Sequence, residues 1–151
     1  MSTQRKSELT LEKYLPYRLS ILSNLVSGMI ARAYEDKFAL SISEWRIIAV
    51  LGEYPRSSAD DISKTTRTEK SIISRALQRL LKRRLIKREV SVTDRRRQHL
   101  TLTKNGMDIY QQVVPLSYEY EQKLLECFSE REQASFDKLV EKLYRHAEEI
   151  S

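Results

Sequence analysis

A mainly α-helical fold with one small β wing is predicted by three features of the chain. Only three Gly and three Pro occur in 151 residues, too few turn formers for a β-sandwich. Apolar residues recur at helical spacing through most of the sequence, in segments that open on Ser or Thr. The period moves towards two in one place alone, between Ile86 and Leu102. A chain of this length holds one compact domain, or a smaller one with helical arms.

The first helix runs from about Tyr14 to Tyr34, with Leu15, Leu19, Leu22, Val26, Met29, Ile30 and Ala33 on its apolar stripe. Pro16 is tolerated only in a first turn and so marks its start. Ser41 caps a second helix and Glu44, three residues on, is placed to complete a capping box. That helix carries Trp45, Ile47, Ile48, Val50 and Leu51 and ends between Gly52 and Pro55. Ser57 and Ser58, followed by Asp60 and Asp61, open a short third helix that lasts to Lys64 or Thr65. Thr66 and Glu69 form another capping-box pattern, and a fourth helix reaches about Arg84 with Ile73, Ala76, Leu77, Leu80 and Leu81 along one side.

Two short helices across such a turn make a helix-turn-helix, whose second helix enters the major groove of DNA. Ile86 to Val90 and Gln98 to Leu102 read as strands flanking a basic loop, the layout of a winged helix. Thr103 caps a fifth helix that extends to about Phe128, kinked at Pro115. Ser129 and Glu132 box the start of a last helix striped with Phe136, Leu139, Val140, Leu143 and Ala147. The expected organisation is an N-terminal arm over 1–36, a winged helix-turn-helix lobe over 37–103, and C-terminal helices over 104–151. A lobe of this kind does not need the long terminal helices for itself, so their stripes are expected to build a homodimer.

Charge is segregated. Residues 64–97 hold thirteen Lys or Arg against three acids, a local +10 in a chain whose net charge is +6. A one-sign block of this kind is the footprint of a polyanion-binding surface. The fourth helix turns Ile73, Ala76, Leu77 and Leu80 inward, which leaves Lys70, Ser71, Ser74, Arg75 and Gln78 outward. Arg reads guanine, Gln adenine and Ser either base edge, so this face is expected to contact double-stranded DNA. Thr66, Arg67 and Thr68 lie where a helix start receives phosphate. Arg95, Arg96 and Arg97 at the wing tip suit a narrow minor groove, with Asp94 pairing one of them.

Other classes find little support. His99 and His146 stand apart, Cys127 has no second cysteine, and no Gly-rich phosphate loop occurs, so neither a metal nor a cofactor nor catalysis is expected. No apolar run is long enough to span a membrane and no export signal precedes Glu8, which implies a cytoplasmic protein. Cys127, set among Leu124, Leu125 and Phe128, reads as a buried inert thiol, with a redox switch as the alternative.

Ser43 to Leu51, Lys70 to Arg75, and Asp94-Arg-Arg96 leading to Leu102-Thr-Lys-Asn-Gly106 together resemble the MarR family of bacterial transcription regulators. The resemblance spans about Leu19 to Tyr144 and departs at Arg67, where relatives often have Gly. It implies a dimer on a palindromic operator, with Asp94 orienting the wing and Arg96 contacting DNA. It also implies a repressor released by a small aromatic or phenolic carboxylate, or its thioester, bound between the first, second and fifth helices. A ligand-independent DNA binder is the competing reading. Asn24, Ser27, Arg32 and Arg46 are the polar candidates for that pocket, Arg46 pairing with a ligand carboxylate, pairing with an acid such as Glu53, or simply reaching solvent.

Overall fold

The computed structural model describes residues 8–93 and 97–151, in two compact units, Met1–Val113 and Val114–Ser151. The first unit opens with a 3₁₀ turn, Leu11–Lys13, and then α1, Leu15–Phe38, with Pro16 in its first turn as expected. α1 runs one turn past the expected Tyr34 and closes on Ala39 in the left-handed conformation. α2 spans Ile42–Glu53, and its Ser41 hydroxyl accepts the Glu44 amide. α3, Ala59–Thr66, starts with a complete capping box in which Ser58 and Asp61 exchange hydrogen bonds of 3.0 Å.

α4, Lys70–Lys82, buries Ile73, Ala76, Leu77 and Leu80, the four residues expected inward. β1, Ile86–Val90, pairs antiparallel with β2, Gln98–Leu102, from Ile86 opposite Leu102 to Val90 opposite Gln98. A further bridge joins Ser57 to Leu100, whose amide donates to the Ser57 carbonyl at 2.8 Å. This tie between the α2–α3 connection and the wing carries no periodic signal in the sequence.

The core of this unit is Leu40, Ile47, Ile48, Leu51, Ile62, Leu80, Ile86 and Val113, around Tyr34. Trp45 bridges Tyr34 and Tyr110 with ring centroids 5.1 and 6.4 Å away, so one aromatic column joins α1, α2 and the start of the next helix.

α5, Lys104–Leu125, begins where Thr103 is bound on three sides. Its amide donates to the Leu85 carbonyl, its hydroxyl donates to Arg84 and accepts from Gly106. A Cβ at Gly106 would overlap the Leu85 carbonyl, which is why the Leu-Thr-x-x-Gly pattern needs glycine there. α5 continues through Pro115, which withholds one helical hydrogen bond without ending the helix.

The second unit holds the remainder of α5 and α6, Glu130–Ile150, opened by the expected Ser129–Glu132 capping box. Phe128 and Phe136 pack at 5.3 Å, and Gln133 donates to the Leu125 carbonyl to close the turn. No residue of α6 is buried. Cys127 is exposed in the protomer, which corrects the expectation of a buried thiol: the turn after α5 places it outward.

Candidate nucleic-acid interface

Three residues, Arg67, Thr68 and Glu69, separate α3 from α4. Arg67 adopts φ 49°, a left-handed conformation that costs a side-chain-bearing residue about 1 kcal/mol and glycine nothing. Arg67 thus takes a geometry that a glycine would adopt without cost. Ser63 holds the turn from both sides, its carbonyl accepting the Thr68 amide and its hydroxyl donating to the Thr68 carbonyl.

The expected Thr66–Glu69 capping box does not form. Thr66 donates to Ile62, the preceding turn of its own helix, and Thr68 donates to Thr66. Glu69 is itself the residue before α4 and makes no side-chain cap. The turn geometry takes both threonines, leaving the first amides of α4 without intrahelical acceptors.

Lys70, Ser71, Ser74, Arg75 and Gln78 are all exposed, on the side of α4 opposite its buried stripe. Lys70 lies 2.9 Å from Asp60 of α3, a carboxylate whose pKa is lowered mainly by that hydrogen bond and charge. At the base of the wing the Ser91 amide donates to the Arg97 carbonyl at 3.0 Å, and Arg97 is exposed. Asp94, Arg95 and Arg96 lie outside the described residues. Within the strands, Glu89 bridges Lys87 and His99, both at 3.2 Å, and its pKa is lowered by Lys87 first and His99 second.

The expected Ser41–Glu44 capping box does not form either. Glu44 does not reach back to Ser41; it is 6% exposed and binds Arg79 Nε at 3.1 Å, with Arg83 at 3.8 Å. Arg83 also donates to the carbonyls of Phe38 and Ala39 at the end of α1. Two cations of the basic block therefore brace α4 against α1 and α2 while remaining exposed. The signal was present: Glu44, Ile48 and Leu51 share the inward stripe of α2, and an acid there needs a cation.

A cleft of about 560 Å³ lies beside this brace. α1 lines it with Asn24, Ser27, Gly28, Ala31 and Glu35, and residues 39–42 with Glu44 form the other wall. Asn24 and Ser27 both line this cleft, whereas no residue of the fifth helix, expected as a third wall, is in its lining. Arg32 and Arg46 are exposed and absent from this lining, so of the alternatives open for Arg46 the structure has the one in which it reaches solvent.

Two helices across a three-residue turn, followed by strand, basic loop and strand, define a winged helix-turn-helix protein. Residues 40–97 match the model of the MarR family. The HTH-type transcriptional regulator BilQ of Clostridium symbiosum is 25% identical over 108 residues, 72% of this chain and 75% of that protein. A MarR/EmrR family transcriptional regulator from Acinetobacter sp. ADP1 superposes with a TM-score of 0.85 at 27% identity, over 93% of this chain and 99% of the other. BpsR of Bordetella bronchiseptica, whose DNA binding is regulated by 6-hydroxynicotinic acid, superposes with a TM-score of 0.80 at 18% identity, over 91% and 98% of the two chains. The winged helix-turn-helix lobe is thus of the MarR type, and the chain is similar to MarR-family regulators over most of its length. Among the described residues, no helix is long and apolar enough to cross a membrane.

Proposed function

We propose that the protein is a homodimeric, sequence-specific regulator of transcription that binds double-stranded DNA and answers to a small aromatic ligand. The observation that carries the reading is the outward strip of α4, where Lys70, Ser71, Ser74, Arg75 and Gln78 are exposed together. Arg75 and Gln78 read base edges in the major groove, while Thr66, Arg67, Thr68 and the first amides of α4 hold phosphate. Arg95, Arg96 and Arg97 follow the minor groove, with Asp94 setting the wing.

Dimerisation is supported by apolar faces that the protomer leaves open on α1 and on α6. With two copies of α4, the preferred site is a palindrome with half-sites about 34 Å apart. Ligand control is supported by the cleft beside α1 and by the regulated relative BpsR. The carboxylate expected of that ligand meets no cation among the residues lining the cleft.

Selection from random duplexes, followed by binding at several salt concentrations, tests the DNA reading. Arg75→Ala should relax selection at one position of each half-site, at about 1–3 kcal/mol. Arg96→Ala should weaken selected and scrambled DNA alike and flatten the salt dependence. Retention of full discrimination by Arg75→Ala would place the reading face in the wrong register.

A further inference from the structure

We propose that the cleft beside α1 binds a small organic cation, and that Glu44 transmits its occupancy to α4. Transmission rests on the regulator reading above; the binding site itself does not.

Gly28 provides the first observation. It sits inside a 24-residue helix, where glycine costs roughly 0.5–1 kcal/mol relative to alanine, yet nothing lies within 4 Å of the place its Cβ would occupy. Close packing therefore does not demand the glycine. Its missing side chain leaves that wall of the cleft open.

The charges supply the second. Glu35 and Glu44 are the ionisable groups of the lining, on opposite walls, and no Lys, Arg or His joins them. Arg79 and Arg83 approach Glu44 from α4 and are not part of the lining. An anion in the cleft would face the Glu35 carboxylate with no cation in the lining to offset it, and like charges brought together are costly. An amidinium, guanidinium or protonated amine would pair with Glu35, with Asn24, Ser27 and Ser41 offering oxygen acceptors and Ala31 and Ile42 an apolar wall.

Glu44 then has a double role. It is part of the cleft lining, and its carboxylate holds Arg79 and Arg83. A cation drawn toward Glu44 competes with Arg79, and Arg83 connects the same carboxylate to the end of α1. Occupancy thereby loosens the brace behind the DNA-reading helix.

Benzamidinium, benzamide and benzoate share a ring and differ in charge, which makes them suitable probes for calorimetry on the full chain. Benzamidinium should bind about tenfold more tightly than benzoate, with benzamide between them. Glu35→Gln should remove most of that preference, and Gly28→Leu should abolish binding while thermal unfolding stays cooperative. Benzoate binding as well as benzamidinium, or parent-like binding by both variants, overturns the site. Amide exchange along residues 79–83 should speed up with benzamidinium in the parent and stay constant in Gly28→Leu. Unchanged exchange in the liganded parent overturns transmission through Glu44. Failure of the parent to bind any DNA would remove the regulator reading, while calorimetry would still decide the site.

Discussion

α4 and α6 carry nearly the same apolar pattern and meet opposite fates. In α4, thirteen residues bury Ile73, Ala76, Leu77 and Leu80 against their own unit. In α6, twenty-one residues space Phe136, Leu139, Val140 and Leu143 just as regularly, and all four stay exposed. Periodicity reports that a face is meant to be covered; it does not say by which chain. α4 finds its cover in α2, α3 and β1, whereas α6 presents a stripe suited to a second copy.

The largest expected effect tests that contrast. Leu143→Asp places a charge in the centre of the α6 stripe, and burying an unpaired carboxylate costs several kcal/mol. Light scattering on the parent should give about twice the 17.8 kDa chain mass, and on the variant the mass of one chain. The winged lobe should keep its fold, because its core lies in the other unit. An unchanged mass would mean that the α6 stripe is not the interface.

A smaller effect compares two glycines under one substitution. Gly106→Ala drives a Cβ into the Leu85 carbonyl, which already accepts the Thr103 amide, so about 1–3 kcal/mol of stability should be lost. Gly28→Ala meets open space inside a helix and should gain about 0.5–1 kcal/mol. Urea unfolding of both variants gives the two signs. Destabilisation by Gly28→Ala would show that α1 needs glycine for some reason other than an open cleft.

Much of the fold was legible because local signals and packing agree. Both strands fall on the expected residues, since alternation on a two-stranded wing leaves little choice of register. The Ser58 and Ser129 caps were readable for a similar reason, each having an acid three residues on and no stronger partner for it. Glu44 has the same local pattern after Ser41, but its carboxylate turns inward to Arg79 across 35 residues of sequence. Thr66 and Glu69 fail as a cap because Arg67 turns left-handed between them. Arg46 takes the solvent-facing one of its open alternatives, because Ile47 and Ile48 turn to the buried side of α2. A candidate site built from long-range ion pairs is legible only once the helices are placed against one another.

The smallest effect lies in acid, at the start of α3. The pKa of Asp61 is lowered from its ordinary 3.8, first by the Ser58 amide and then by the Ser58 hydroxyl. A carboxylate depressed in the folded chain adds stability that is complete above its ordinary value. That contribution is lost as pH falls through the lowered one. Asp61 is exposed, so solvent screening keeps the contribution below about 1 kcal/mol. Amide exchange at residues 58–62 should therefore lose protection as pH drops below 3.8 in the parent. Asp61→Asn keeps an acceptor for the Ser58 amide without a titrating group, so its protection should start slightly lower and stay nearly level over the same interval. Parallel curves for parent and variant would assign the acid sensitivity of this helix to another group. Glu89 on the wing titrates in the same direction, and exchange resolved by residue separates its strand from α3.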